Sequence, residues 1–142
     1  MAKVDEYRSA IQFLCSDASA YMNGQKICVS TNSNLEKSMV TYDNMFHSDI
    51  NIVKRFEKIL DRSFTVRITG SAIYDFSLIA SGKIDSRVWN NTKMYDFAAG
   101  AIIIEEAGGK ITDFKGRPIT LKTKDIIASN GLVHDEIINL IN

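Results

Sequence analysis

A chain of 142 residues that is 45% hydrophobic and 24% charged can bury a core without disulfide or metal staples, which predicts one folded domain and excludes a disordered chain. Lysine plus arginine and aspartate plus glutamate each number 17, so the formal net charge is zero, and no long block of like charge offers a grip on nucleic acid. No apolar run approaches the roughly 20 residues that span a bilayer, and Met1 to Glu6 lack the apolar core of a signal peptide, so the expected setting is the cytoplasm, away from membrane.

In chain order, the apolar positions Tyr7, Ile11, Phe13 and Cys15 predict a strand over 6–15. Asn23-Gly24 between two apolar runs predicts a hairpin, because both central residues of a type I′ turn take positive φ. A loop rich in serine and asparagine leads to a strand over Ser38–Tyr42. Ser48 is the expected cap of a helix ending near Arg62, with Ile52, Val53, Phe56, Ile59 and Leu60 on one face. Phe64–Ile68 alternates as a strand, Gly70 supplies a turn, and Ala72–Ser81 reads as a helix that Gly82 terminates in the left-handed conformation.

Ile84–Trp89 reads as a further strand. A polar link, Asn90 to Lys93, leads to a helix from about Tyr95 to Ala107, stopped by Gly108-Gly109. Its middle, Ala98 to Ile104, is small or apolar throughout, which predicts burial on most sides. Short strands over Lys110–Asp113 and Asp125–Ala128 and a last helix over Val133–Ile141 complete the chain. Strands alternating with helices predict an α/β domain with a layered mixed β-sheet flanked by helices. The two cysteines, Cys15 and Cys28, and the histidines His47 and His134 match no zinc spacing. Both thiols are expected as buried apolar residues, with a disulfide as the alternative.

The chemistry concentrates around Lys93-Met94-Tyr95-Asp96-Phe97-Ala98-Ala99-Gly100. Read alone, Asp96 is an acid in the first turn of a buried helix, where the macrodipole stabilises it. Ala98, Ala99 and Gly100 let that helix approach its neighbours. Lys93 is either a solvated surface lysine or a cation within reach of an anionic ligand, and Arg87 carries the same two readings. Glu105 and Glu106 lie far along the helix from Asp96 and receive no catalytic role.

Tyr95-Asp96-Phe97-Ala98-Ala99-Gly100 resembles the carboxy-terminal signature of inositol monophosphatases, Trp-Asp-x-Ala-Ala-Gly, with Tyr95 in place of tryptophan. Gly70-Ser71-Ala72, Glu106-Ala107-Gly108-Gly109, Thr112-Asp113 with Gly116, and Ile126 to Asn130 extend the resemblance, as does Ala20-Tyr21-Met22-Asn23-Gly24 upstream. The resemblance implies the fold of the C-terminal domain of that phosphatase family, over 1–142 as a single domain. It implies Asp96 as a ligand of catalytic Mg²⁺, a hard cation that prefers carboxylate and water oxygens. It also implies Gly70, Ser71 and Ala72 as the lining of a sugar-phosphate pocket, with Lys93 and Tyr95 beside it. The bland reading of the first pair is that Gly70 only turns the chain and Ser71 caps the next helix.

Two departures qualify that expectation. The amino-terminal Glu-Glu pair and Asp-Pro-Ile-Asp-Gly-Thr stretch that supply most metal ligands in the family are absent from this sequence, whose only adjacent glutamates, Glu105 and Glu106, belong to the helix-end signature. Mg²⁺ binding is therefore expected to be weak or absent without an N-terminal half, and the isolated chain is expected to turn over little. At the position where inositol-preferring members place a substrate-contacting acid stands Trp89, which cannot accept a hydroxyl hydrogen bond. Three readings follow: one half of a phosphatase completed by a missing N-terminal half, a binding or assembly module that kept the fold, or a half-protein that self-associates to hide its open face.

Overall fold

The computed structural model describes residues 26–47 and 49–142. The strand expected over 6–15, the hairpin at Asn23-Gly24, Ser48 and Cys15 lie outside them.

Among the described residues, five strands, β1 (Met39–Tyr42), β2 (Thr65–Arg67), β3 (Ser86–Trp89), β4 (Lys110–Asp113) and β5 (Ile126–Ser129), form one sheet in the order β2-β1-β3-β5-β4. β1 runs parallel to β2 and β3, while β5 is antiparallel to both β3 and β4. The sheet is thus mixed, as expected. α1 (Ile50–Arg62) connects β1 to β2, α2 (Ala72–Ala80) connects β2 to β3, α3 (Met94–Glu106) connects β3 to β4, and α4 (His134–Ile141) closes the chain. Each expected element among the described residues is present, with bounds shifted by one or two residues at its ends.

Strand side chains alternate between two cores, one on each face. Val40, Tyr42, Val88 and Ile127 pack with Ile52 and Ile59 of α1 and Ile137 and Ile141 of α4. Ile111, Ile126 and Ala128 pack with Phe76 and Ile79 of α2 and Phe97, Ala101 and Ile104 of α3. Helices α2 and α3 meet closely because Gly100 carries no side chain: a Cβ there would sit 1.9 Å from Cδ2 of Phe76. That is the purpose of the small residues in the α3 sequence.

Helix ends follow local chemistry. Asp49, rather than the expected Ser48, caps α1, its side chain accepting from the Asn51 backbone N–H. The apolar stripe of α1 is only partly used: Ile52 and Ile59 are buried, but Val53 and Leu60 are exposed. Gly82 ends α2 and Gly108 ends α3, both at positive φ. At α3 the Gly109 and Gly108 N–H groups return to the carbonyls of Ile104 and Glu105 at 2.8 and 3.0 Å, satisfying groups the helix leaves open.

The amino-terminal ends of the parallel strands are tied together by Asp85 and Asn130. Asp85 accepts from Ser30 Oγ at 2.5 Å and from the Met39 N–H at 2.9 Å. Asn130 donates to Ser30 Oγ and to the Asn32 carbonyl at 2.8 and 2.7 Å, and accepts from the Leu132 N–H at 3.0 Å. Here Cys28 departs from expectation: it is a free, exposed thiol. Val29, bonded through its N–H to the Ala107 carbonyl, is the residue of that segment that turns inward.

Candidate functional site

At the opposite end of the sheet, the chain leaves β1, β2 and β3 through Asp43, Ile68 and Asn90. Loops at the carboxyl ends of parallel strands are where open α/β sheets hold ligands. A cleft of about 290 Å³ lies there. Its lining includes Gly70 and Ala72 from the turn into α2, Lys93, Tyr95 and Asp96 from the start of α3, and Asp43, Arg87, Trp89 and Asn90 from the strand ends.

Five of the six residues singled out from sequence therefore meet in one place: Gly70, Ala72, Lys93, Tyr95 and Asp96. Ser71 is not part of the lining. It occupies the N-cap position of α2 without a side-chain cap hydrogen bond, so it matches neither of its two readings in full. Gly70 has φ +73° with open space where a Cβ would project, so its need for glycine is conformational rather than steric.

Asp96 sits in the first turn of α3, half-buried and facing the cleft. The helix N-terminus favours a carboxylate there, and Lys93, the N-cap, makes no side-chain capping bond. Lys93 is fully exposed, its Nζ 5.7 Å from the Tyr95 ring centroid. A hydrogen bond with Tyr95 pushes the Lys93 pKa up, so the mouth of the cleft carries a fixed positive charge. Glu105 and Glu106 are exposed at the far end of α3, roughly 15 Å along the axis from Asp96 at 1.5 Å per residue.

Arg87 is the second cation of the site, and it is not a surface residue. It is 3% exposed, paired through Nη1 with Oδ2 of the fully buried Asp75, and its guanidinium lies 4.7 Å from the Trp89 ring centroid. Burial lowers its pKa to about 10, and the negative charge of Asp43 opposes that shift. Asp75 is further held by Thr69, whose hydroxyl donates to Oδ1 at 2.7 Å, so this ion pair connects the Gly70 turn to β3.

Sequence reasoning missed Asp43 and Asn90. Asp43 is 4% exposed; its Oδ1 accepts from the Asn44 N–H at 2.7 Å, while Oδ2 has no hydrogen-bond partner among the described residues. Asn90 accepts from Arg55 Nη1 at 3.2 Å through its side-chain Oδ1. The only signal for either was position: each directly follows the last residue of a parallel strand. A larger hollow of about 420 Å³ beneath the β4–β5 loop contains Asp113, but that carboxylate is already occupied by Lys115 and Arg117.

A divalent metal needs several oxygen ligands. Asp96 and Asp43 are the carboxylates of the cleft, but among the described residues no group of three or more Asp, Glu, His or Cys side chains could hold an ion. Among the described residues the donor set is thus partial, and no catalytic step through a metal can be assembled from it alone.

The model of the inositol monophosphatase family matches residues 10–142. This chain belongs to the inositol monophosphatase family. It is 37% identical over 123 residues to the fructose-1,6-bisphosphatase/inositol-1-monophosphatase of Thermotoga maritima, covering 87% of this chain and 47% of that protein. It is 31% identical to an inositol-1-monophosphatase of Synechocystis, covering 92% of this chain and 47% of the relative. Among solved structures, inositol monophosphatases of T. maritima and Anabaena superpose with TM-scores of 0.76 and 0.77 at 36% and 30% identity, each over 84% of this chain. The chain spans about half the length of the relatives it matches, and its fold corresponds to the C-terminal part of theirs.

Proposed function

We propose that this chain supplies the C-terminal half of a Mg²⁺-dependent phosphatase acting on phosphate monoesters of inositol or a related sugar. The observation that carries this reading is the position of Asp96. It stands in the first turn of α3 and lines an open cleft together with Gly70 and Ala72. In this reading Asp96 is one ligand of a bound Mg²⁺, which when present neutralises phosphate charge and orients water. Gly70 and Ala72 offer backbone groups and the α2 N-terminus to the sugar, and Lys93 attracts the phosphate. Ser71, at the N-cap of α2, adds its backbone groups to the same turn. The remaining metal ligands come from an N-terminal half, so the chain alone binds Mg²⁺ weakly and is nearly inactive. Its expected setting is cytoplasmic.

The test is phosphate release from inositol 1-phosphate with Mg²⁺, using this chain alone, mixed with an N-terminal half from a family member, and with Asp96→Asn. Release that needs both halves and is lost in the variant supports the reading. Release by this chain alone that Asp96→Asn abolishes would overturn the claim of incompleteness.

A second reading, an assembly module, is favoured by one observation. Phe64, Ile68, Ile73 and Tyr74, flanking the edge strand β2 and opening α2, are 45–73% exposed, an apolar surface of the kind that associates. Sedimentation of the isolated chain distinguishes the two: a monomer argues for the first reading, a stable oligomer lacking inositol 1-phosphate affinity for the second.

A further inference from the structure

Three buried groups around the cleft carry polar atoms without hydrogen-bond partners: Oδ2 of Asp43, Nε of Arg87 and Nδ2 of Asn90. Leaving such atoms unpaired is costly, and each calls for an explanation. Asn90 has a partial one, because its amide lies close enough to the Tyr42 hydroxyl to temper the rise of that phenol to about 12 on burial. Asp43 and Arg87 have none. They sit on adjacent parallel strands: Tyr42 pairs with Val88, Asp43 directly follows Tyr42, and Arg87 directly precedes Val88. They influence each other electrostatically without forming an ion pair. Arg87 already gives Nη1 to Asp75, so its charge is spent there and Asp43 is left as the excess negative charge at this wall.

We infer that Asp43 is a specificity-determining residue of the cleft, whose uncompensated carboxylate favours a ligand hydroxyl over a phosphate oxygen at the β1–β3 wall. The inference rests on the reading of the cleft as a sugar-phosphate site and names how the sugar is recognised. A hydroxyl is the group that suits a wall of this charge, since it can donate toward a carboxylate. A phosphate oxygen would face the unneutralised Asp43, and an ammonium would face the guanidinium. The sugar therefore lies with its hydroxylated edge on the β1–β3 wall and its phosphate toward Lys93 and the start of α3.

The experiment is a titration of the isotope-labelled full chain, with Mg²⁺ present, by inositol 1-phosphate and by ethyl phosphate, which has no hydroxyl. It follows the backbone amide resonances of the cleft in wild type, Asp43→Ala and Asp43→Asn. The expected result is that Asp43→Ala weakens inositol 1-phosphate binding about 10- to 100-fold. Asp43→Asn, which keeps a neutral acceptor, weakens it less, and ethyl phosphate affinity changes no more than about twofold. If the alanine variant does not fold, as its amide spectrum would reveal, the asparagine variant carries the test. Equal weakening of both ligands, or no change in either, overturns the inference while leaving the site in place. If neither ligand shifts the cleft resonances of the wild type, either alone or mixed with an N-terminal half from a family member, the reading of the site fails, and the inference with it.

Discussion

Arg87 and Asp75 form an ion pair closed to solvent on both sides, with side-chain exposures of 4% and 0%, directly behind the wall of the cleft. Removing one partner of such a pair strands the other charge, whereas replacing both with apolar groups costs far less. Asp75→Asn is expected to lower stability by about 3–5 kcal/mol, and a double variant, Asp75→Leu with Arg87→Met, to recover much of that loss. Urea unfolding midpoints of the three proteins provide the check; equal losses in the single and double variants would contradict it.

Gly100 is expected to resist any side chain. The Cβ of alanine would overlap the Phe76 ring, so Gly100→Ala should destabilise by about 1–3 kcal/mol despite the higher helix propensity of alanine. Combining it with Phe76→Leu should recover part of the loss, which thermal unfolding can measure.

His134 predicts a pH dependence. It is fully buried, with Nδ1 2.8 Å from Ser129 Oγ and Nε2 2.8 Å from Thr112 Oγ1. Burial, assisted by the charge of Lys110, lowers its pKa from 6.5 to about 4. Between those values the unfolded chain binds the proton and the folded one does not. The stabilising contribution is therefore complete above about pH 6.5 and falls as the pH drops toward 4, by ~3 kcal/mol in all. Urea midpoints from pH 7.5 to 4.5 should show this slope in wild type and lose most of it in His134→Gln.

Asp96→Asn separates a ligand from a helix-end charge. If Asp96 served only the macrodipole, its loss would cost about 0.3–1 kcal/mol and nothing else. The expected outcome is a stability change within that range together with loss of Mg²⁺-dependent shifts in the amide resonances at the start of α3. Unaltered Mg²⁺ shifts in the variant would remove Asp96 from the metal site.

Much of the architecture was readable because its signals are local. The alternation in Thr65–Arg67, the glycine stops at Gly82 and Gly108, and the small-residue run in α3 each follow from a few neighbouring residues. The strand order was not readable, since β1 lies between β2 and β3 through pairings 26 and 46 residues apart in sequence, Met39 with Thr65 and Val40 with Ser86. The same non-locality hid Asp43. Nothing in Val40-Thr41-Tyr42-Asp43-Asn44 distinguishes it from a loop acid; only the sheet brings it beside Arg87. Cys28 was misplaced because hydrophobicity does not tell which of Ile27, Cys28 and Val29 turns inward. The α1 cap was misplaced by one residue because Ser48 and Asp49 are equally good cap types.

The close contact of Gly100 with Phe76 reaches beyond stability. Helices α2 and α3 each begin in the cleft, one delivering Gly70 and Ala72 and the other Lys93, Tyr95 and Asp96. A missing methyl halfway along one helix thus sets the gauge of the opening at its tip, so any ligand selected there is measured against a gap that residues outside the cleft have already fixed.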